Sequence, residues 1–332
     1  MTSKNIRFGL AMLAVFTVSG CAQSSRFSFD ATADARNFTP PEYPGPQYFL
    51  GVCQAIKKVG PGAFMVSPGD MEPPDRVRTT LDTVFGQDYA WYDALGNHEL
   101  ENPEYVSYLR DYNRNGTTLP RIIRPGPPGA VETCYSFDHG NAHFVVTNQY
   151  FDGASDTAPG GGTVSDALYD WVADDLSRTR KPYIFVVGHE PAYPMPDMDN
   201  GRLRHVEKSL DKHPDKRDRF WSLLARQNVT AFLCGHSHNA SISKINGVWQ
   251  VDVGHARGAG DDGAPSTFVK FHVEPDGVRC EYYRANPKGE DYRLTHTQQL
   301  AGEPRGSRGK SPITFGVNVS PVGGSQLPPR SR

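Results

Sequence analysis

Apolar residues along this chain recur with two periods, and short strands alternate with amphipathic helices. Phe27, Phe29, Ala31 and Ala33 alternate with polar neighbours and stop at Asp34, the pattern of a strand with one buried face. Over residues 46–58 Phe49, Leu50, Cys53 and Ile56 share one helical face, with Pro46 suited to the first turn and Gly60 as the stop. Residues 63–66 form a short apolar run that leads into Pro68-Gly69-Asp70, and residues 76–85 place Val77, Leu81, Val84 and Phe85 on one helical face. A further apolar stretch breaks at Gly96-Asn97-His98-Glu99. Cys134-Tyr135-Ser136-Phe137-Asp138 and His143-Phe144-Val145-Val146, on either side of His139-Gly140-Asn141, predict two strands and a turn. Leu168, Trp171, Val172 and Leu176 mark a helix. Residues 183–187 form a buried strand that delivers Gly188-His189-Glu190-Pro191. After a helix face at 220–224, the strand 229–234 delivers Gly235-His236-Ser237-His238. Strands are expected at 241–253, 266–273 and 278–284. Residues 300–332 are rich in Gly, Ser, Pro and Arg without periodicity and are expected to be a disordered tail. One domain over 26–299 accounts for the patterned part.

The first twenty residues have a different purpose. Lys4 and Arg7 precede an apolar stretch at 8–18 that is short for a bilayer span, and the small residues Val18-Ser19-Gly20 run into Cys21. This resembles the lipobox of bacterial lipoproteins. The resemblance implies a signal peptide over 1–20, lipidation of Cys21, a short leader over 21–25 and attachment to a membrane of the cell envelope on the periplasmic side. Ala22, in place of an aspartate, points to the outer membrane. Loss of Lys4 and Arg7 takes the net charge from −2 to −4. Lys and Arg total 35 against 37 Asp and Glu, which excludes a nucleic-acid coat or a polybasic membrane sticker. A mean hydropathy of −0.54 excludes a multi-span membrane protein. Besides Cys21 there are Cys53, Cys134, Cys234 and Cys280, which an exported chain either pairs or buries as thiols. No C-x-x-C spacing offers a redox centre.

The candidate chemistry sits where the strands end. Asp34, Asp70, Asn97, His189, His236 and His238 each follow an apolar strand, most of them beside a glycine. In layered α/β folds the strand ends and the loops after them collect ligands. Carboxylates, an amide oxygen and imidazoles suit divalent Mn, Fe or Zn. One carboxylate with donors on either side would hold two such ions about 3.5–4 Å apart.

In their order and spacing these motifs resemble the calcineurin-like metallophosphoesterases, which include the purple acid phosphatases. The likeness runs over residues 26–285. It rests on an Asp after the first strand, Gly69-Asp70, Gly96-Asn97-His98-Glu99, the middle hairpin, Gly188-His189 and Gly235-His236-Ser237-His238. It implies a four-layer α/β sandwich of two mixed β-sheets flanked by helices. It also implies that Asp70 bridges two metal ions, with Asp34 and His238 on the first and Asn97, His189 and His236 on the second. His98 would face the substrate and serve the leaving oxygen as general acid or charged donor. The ions would lower a bridging water's pKa toward about 7 and supply the attacking hydroxide. The implied activity is hydrolysis of a small phosphate ester outside the cytoplasm, as a phosphomonoesterase. A phosphodiesterase, and a non-catalytic envelope lipoprotein with a degenerate metal site, stand as alternatives.

The chain departs from the family pattern twice. The usual Asp-x-His is Asp34-Ala35-Arg36, and a guanidinium has no lone pair for a metal. Arg36 is instead a candidate for gripping phosphate, or an ordinary surface charge. The acid or amide expected three residues past Asp70, which in relatives pairs with the catalytic His, is missing. Glu72, Asp75 and Asp93 are the candidates to replace it. His139 and His143 are expected to be structural and His205 and His213 solvated, while His255 follows a strand end and is a candidate to approach the site. Glu190 after His189 is no zinc-protease motif, since the required second histidine is Tyr193. Residues 306–310 lack the strand and spacing of a phosphate loop. Specificity is expected to lie in loops 113–130 and 194–215.

Overall fold

The computed structural model describes residues 26–35, 48–257, 263–286 and 291–302. In chain order the first half holds β1 (Phe27–Ala31), α1 (Phe49–Val59), β2 (Phe64–Ser67), α2 (Pro74–Phe85), β3 (Ala90–Asp93), α3 (Pro103–Tyr112), β4 (Ile122–Pro125), β5 (Tyr135–His139) and β6 (Ala142–Val146). The second half holds α4 (Asp166–Arg178), β7 (Tyr183–Val187), α5 (Pro214–Arg226), β8 (Ala231–Cys234), β9 (Ala240–Ile245), β10 (Val248–Val253), β11 (Thr267–Glu274), β12 (Gly277–Ala285) and β13 (Tyr292–Gly302). Two sheets result, one ordered β13-β12-β11-β1-β2-β3 and the other β4-β5-β6-β7-β8-β10-β9. Both are mixed. The strands β1, β2 and β3 run parallel, as do β6, β7, β8 and β10, and antiparallel strands complete the edges.

The alternation read from the sequence explains the layering. Phe29, Phe64, Phe271, Phe137, Phe144 and Phe185 point inward from the two sheets and fill the space between them. Phe29 stacks on Phe271 with ring centroids 4.6 Å apart and meets Phe144 edge-on at 5.1 Å. Such pairs add about 0.5–1.5 kcal/mol each beyond the area they bury. The outer face of the first sheet packs on α1, α2 and α3 through Val52, Ile56, Leu81, Trp91 and Leu109. That of the second packs on α4 and α5 through Leu168, Val172, Ile184, Phe220 and Phe232. The four-layer α/β sandwich expected from the sequence is the observed architecture.

Some expectations change. The expected 241–253 strand is a hairpin of two strands, β9 and β10. The tail boundary at 300 is too early, because β13 runs to Gly302 along the edge of the first sheet. Cys21 and the signal peptide, Arg36, and residues 303–332 lie outside the described residues. Cys53, Cys134, Cys234 and Cys280 are four buried free thiols.

His143 on β6 is structural, as expected, and has an unusually charged setting. Its Nδ1 lies 2.8 Å from Asp138 and its Nε2 2.8 Å from Asp175, which also accepts from Ser136 Oγ at 2.8 Å. Burial pushes the imidazole down, but hydrogen bonds to and charges of Asp138 and Asp175 outweigh it and raise His143 to about 9. A folded-state pKa above the ordinary 6.5 contributes stability in full below pH 6.5 and loses it as pH rises through about 9. Replacing His143 with Ala leaves two carboxylates facing each other and should cost about 3 kcal/mol near pH 6. Urea unfolding of wild type and variant near pH 6 and near pH 9.5 should show that gap shrinking at the higher pH. A gap independent of pH would contradict the assigned charge.

Candidate metal centre

The loops at the carboxyl ends of five parallel strands meet at one place. Asp34 follows β1, Asp70 follows β2, Asn97 follows β3, His189 follows β7, and His236 and His238 follow β8. Close approach of backbone to carboxylate explains two of the motif glycines. A Cβ on Gly96 would sit 2.1 Å from Asp70 Oδ1, and one on Gly235 would sit 2.7 Å from Asp34 Oδ2. Among the described residues, ten non-glycines adopt positive φ, and five of them are Asp34, Asp70, His205, His236 and His238. Such backbone costs of order 1–3 kcal/mol per residue and persists where the surroundings enforce it.

Two sets of buried donors converge here, Asp70 with His189 and His236, and Asp34 with Asp70 and His238, each within 4.8 Å. Asp70 belongs to both. Its Oδ1 accepts from the His98 backbone N–H at 2.9 Å, while Oδ2 lies 3.3 Å from His189 Nε2. His236 Nδ1 lies 3.0 Å from Asn97 Oδ1 and 3.1 Å from His189 Nε2, and Asn97 Oδ1 is 3.2 Å from His189 Nε2. The far ring nitrogens choose the tautomers. His189 Nδ1 donates to the Pro68 carbonyl at 2.7 Å, and His236 Nε2 faces the Lys208 carbonyl at 3.1 Å. With the rings neutral, as a bound metal requires, each histidine would turn a lone pair toward Asn97 and Asp70, which is how metal-ligating imidazoles are oriented. In the other set, Asp34 Oδ2 accepts from the His236 N–H at 3.0 Å. Asp34 Oδ1 is buried without a hydrogen bond and lies 3.4 Å from His238 Nε2.

The charges have the same demand. Burial lowers a histidine, yet the Asp70 charge and contact raise His189 to about 10. Burial raises a carboxyl, yet His189 and His98 hold Asp70 below the usual carboxylate range. Asp34 is pushed well above that range by burial, with His189 opposing and Asp70 adding to the shift. The cluster draws positive charge between its carboxylates. An orphaned buried oxygen and four converging donor atoms, from Asp70, Asn97, His189 and His236, fit a divalent cation of the Mn, Fe or Zn kind. Asp70, Asn97, His189 and His236 are placed to hold one ion, and Asp34, Asp70 and His238 a second.

Glu99, the last residue of the Gly96 motif, acts behind this cluster. It is fully buried and accepts the backbone N–H groups of Asp70 at 3.0 Å, of Gly96 at 2.7 Å and of Met71. It thereby ties the β2 loop to the β3 loop. Burial and the Asp70 charge raise its carboxyl to about 8, against His189 and the N–H donors.

All six expected ligands and His98 come together, and the structure corrects several neighbours. His98 Nδ1 pairs with Glu101 Oε1 at 2.6 Å, so its carboxylate partner comes from its own loop rather than from Asp75 or Asp93. Glu72 stands near the same group, with donor atoms of Glu72, His98 and Glu101 within 4.8 Å. Asp75 is exposed at the start of α2. Asp93 is buried with both oxygens unpartnered. His205 is not a solvated surface residue, since its Nδ1 lies 2.8 Å from His236 Nε2, over the site. The i, i+3 spacing of His98 and Glu101 was the available signal for the first pair, and nothing in the sequence marked His205. His213 is exposed as expected. His255 lies with its ring centroid 5.9 Å from that of His238, but its Nε2 faces the Ala264 carbonyl and its Nδ1 accepts from the Arg257 N–H. Glu190 accepts from the Gly162 N–H and the Tyr150 hydroxyl, a structural role.

The family model described as calcineurin-like phosphoesterase matches residues 46–240, which takes in every candidate ligand except Asp34. Tartrate-resistant acid phosphatase type 5 of Oryctolagus cuniculus is 26% identical over 231 residues, 64% of this chain and 63% of that protein. The corresponding protein of Rattus norvegicus is 27% identical over 62% of this chain and 61% of its own length. An acid phosphatase of Aspergillus ficuum is 27% identical over 53% of this chain and 33% of its own. The chain thus spans about three fifths of the mammalian relatives it matches. Among solved structures, that of PhoD is similar with a TM-score of 0.54 at 13% identity, covering 83% of this chain and 70% of PhoD. The Plasmodium protein GAP50, described as the anchor in the inner membrane complex, has a TM-score of 0.51 at 15% identity, covering 84% and 90%. These two speak for the fold alone. With a model matching more than half of its length, on a fold and a cluster that agree with it, the chain belongs to the calcineurin-like phosphoesterase family.

Proposed function

We propose that this protein is a metal-dependent phosphoric ester hydrolase, a phosphomonoesterase in the manner of its acid phosphatase relatives. The observation that carries the reading is the convergence of Asp70, Asn97, His189 and His236 on one point, with Asp70 shared with Asp34 and His238. That sharing supports a dinuclear centre. When bound, the ions supply positive charge for the phosphoryl oxygens and activate water. The chain's own residues set the geometry around them. Glu99 and the His98 N–H fix the Asp70 carboxylate, and the Pro68 and Lys208 carbonyls fix the two imidazoles. His98 is the proton donor of this reading. Glu101 engages its Nδ1, leaving Nε2 turned inward 3.7 Å from Asp70 Oδ2. A proton delivered at that atom would stabilise the departing alkoxide. Arg36, adjoining the Asp34 loop, remains a candidate phosphate grip on sequence grounds. The N-terminal sequence supports export and lipidation at Cys21, which would place the domain at the periplasmic face of the cell envelope.

Full-length protein loaded in turn with Mn, Zn or Fe and assayed on phosphomonoesters and phosphodiesters should turn over monoesters faster, and chelation should abolish the activity. No hydrolysis of either class under any metal would overturn the proposal. His98→Ala should lower turnover by about 10²–10⁴-fold with metal content unchanged, because the backbone N–H that holds Asp70 survives the substitution. Loss of metal in that variant would show that His98 is a ligand instead. Mass spectrometry of the mature N-terminus should find acylated Cys21, and Cys21→Ser should leave an uncleaved precursor. A cleaved, unacylated wild-type chain would contradict the anchor.

A further inference from the structure

The three site imidazoles are not treated alike. His189 and His236 turn their far nitrogens to carbonyl acceptors, as a metal ligand requires. His238 turns its far nitrogen, Nδ1, to two cations. Arg204 Nη1 lies 2.8 Å from it and Arg257 Nη1 3.3 Å. A guanidinium only donates, so Nδ1 must accept, and a neutral ring that accepts at Nδ1 carries its hydrogen on Nε2. Nε2 is the atom nearest Asp34 Oδ1, at 3.4 Å, and the one that the Asp34–Asp70–His238 position would need as a ligand. The neighbouring position has four convergent donors to this one's three. It has no arginine facing its imidazoles among the described contacts.

Both arginines are built in. Arg202, two residues before Arg204, donates through Nε to Asn239 Oδ1 at 3.0 Å and through Nη2 to the His238 carbonyl at 3.0 Å. Their loop is pinned to the first sheet by the buried pair of Asp197 with Arg284, at 3.1 and 2.8 Å. Arg257 follows β10, and its backbone bridges to Tyr48 at the start of α1. The guanidiniums therefore stand on the Nδ1 side of His238, beside the Asp34–Asp70–His238 position.

We propose that Arg204 and Arg257 oppose a metal ion at the Asp34–Asp70–His238 position, so that the Asn97 position fills first and alone at limiting metal. In that one-ion form the two guanidiniums hold the phosphoryl oxygens of the substrate in place of the second ion. A planar guanidinium suits this, since its paired N–H groups match two oxygens of a phosphate. The inference rests on the phosphate-ester reading for its ligand class, and on geometry for the inequality of the two positions.

The test is titration of the full-length chain with Mn²⁺, followed by calorimetry and electron paramagnetic resonance, with inorganic phosphate as the oxyanion probe. Wild type should bind one Mn²⁺ tightly, with the spectrum of an isolated ion, and a second at least tenfold more weakly. In the Arg204→Gln/Arg257→Gln double variant the two affinities should converge to within about threefold. Phosphate binding to its one-ion form should weaken at least tenfold. If the double variant does not fold, the single variants carry the same comparison at smaller amplitude. Two equally tight ions in wild type, or variants with unchanged metal and phosphate binding, would overturn the inference. Neither readout needs turnover. Hydrolysis of phosphate esters by a chain with two equal sites would remove this inference and leave the hydrolase standing. Unequal sites and arginine-dependent phosphate binding in a chain without turnover would do the reverse.

Discussion

The Asp70 carboxylate is the constraint on which the rest of this structure turns. One oxygen is held by the backbone of the β3 loop and the other faces an imidazole delivered by the second sheet. The two sheets must therefore present their strand ends at the same height. A shift of either by one residue would turn each side chain to the opposite face. A buried carboxylate left without a cation would be costly, and the cluster meets that cost with charge drawn from His189 or from a metal. Glu99 behind it and Gly96 beside it are consequences of the same requirement, one tying down the loop and the other making room.

Rigidity elsewhere serves this alignment. The stacked phenylalanines between the sheets leave little freedom for one to slide over the other. Lys270 of β11 reaches Asp30 near the end of β1 at 3.2 Å and the Gly60 carbonyl at 2.6 Å, which fixes the strand that Asp34 follows. On the other flank, Arg284 of β12 grips Asp197 and so steadies the loop that carries Arg204 and His205. Positive φ at five residues of the centre indicates that these contacts overrule local backbone preference there.

Much of this was legible in the sequence because the informative residues are local. Alternation at Phe27, Phe29 and Ala31 predicts a half-buried strand, and a glycine beside Asp70, Asn97, His189 or His236 marks a loop that must approach something closely. What was not legible depends on tertiary neighbours. His205 and Arg204 lie in an irregular charged segment, and only the folded loop sets them against His236 and His238. Glu101 becomes the partner of His98 through a short turn, and their i, i+3 spacing, the one local sign of it, does not by itself say that the side chains meet. β13 escaped because an edge strand with Thr, His and Gln on both faces has no apolar alternation, and of its residues only Leu300 is buried. The pairing state of the four cysteines needed the structure, which buries all four as free thiols.

The central claim is that Asp70 joins two donor sets around bound metal. The direct measurement is the metal content of full-length Asp70→Asn beside wild type, after loading with excess Mn²⁺ and removal of free ion. The amide keeps the size of the carboxylate but not its charge, so the variant should lose the tightly held ion and fail to regain it at concentrations that saturate wild type. A folded Asp70→Asn protein that retains wild-type metal content would contradict the account.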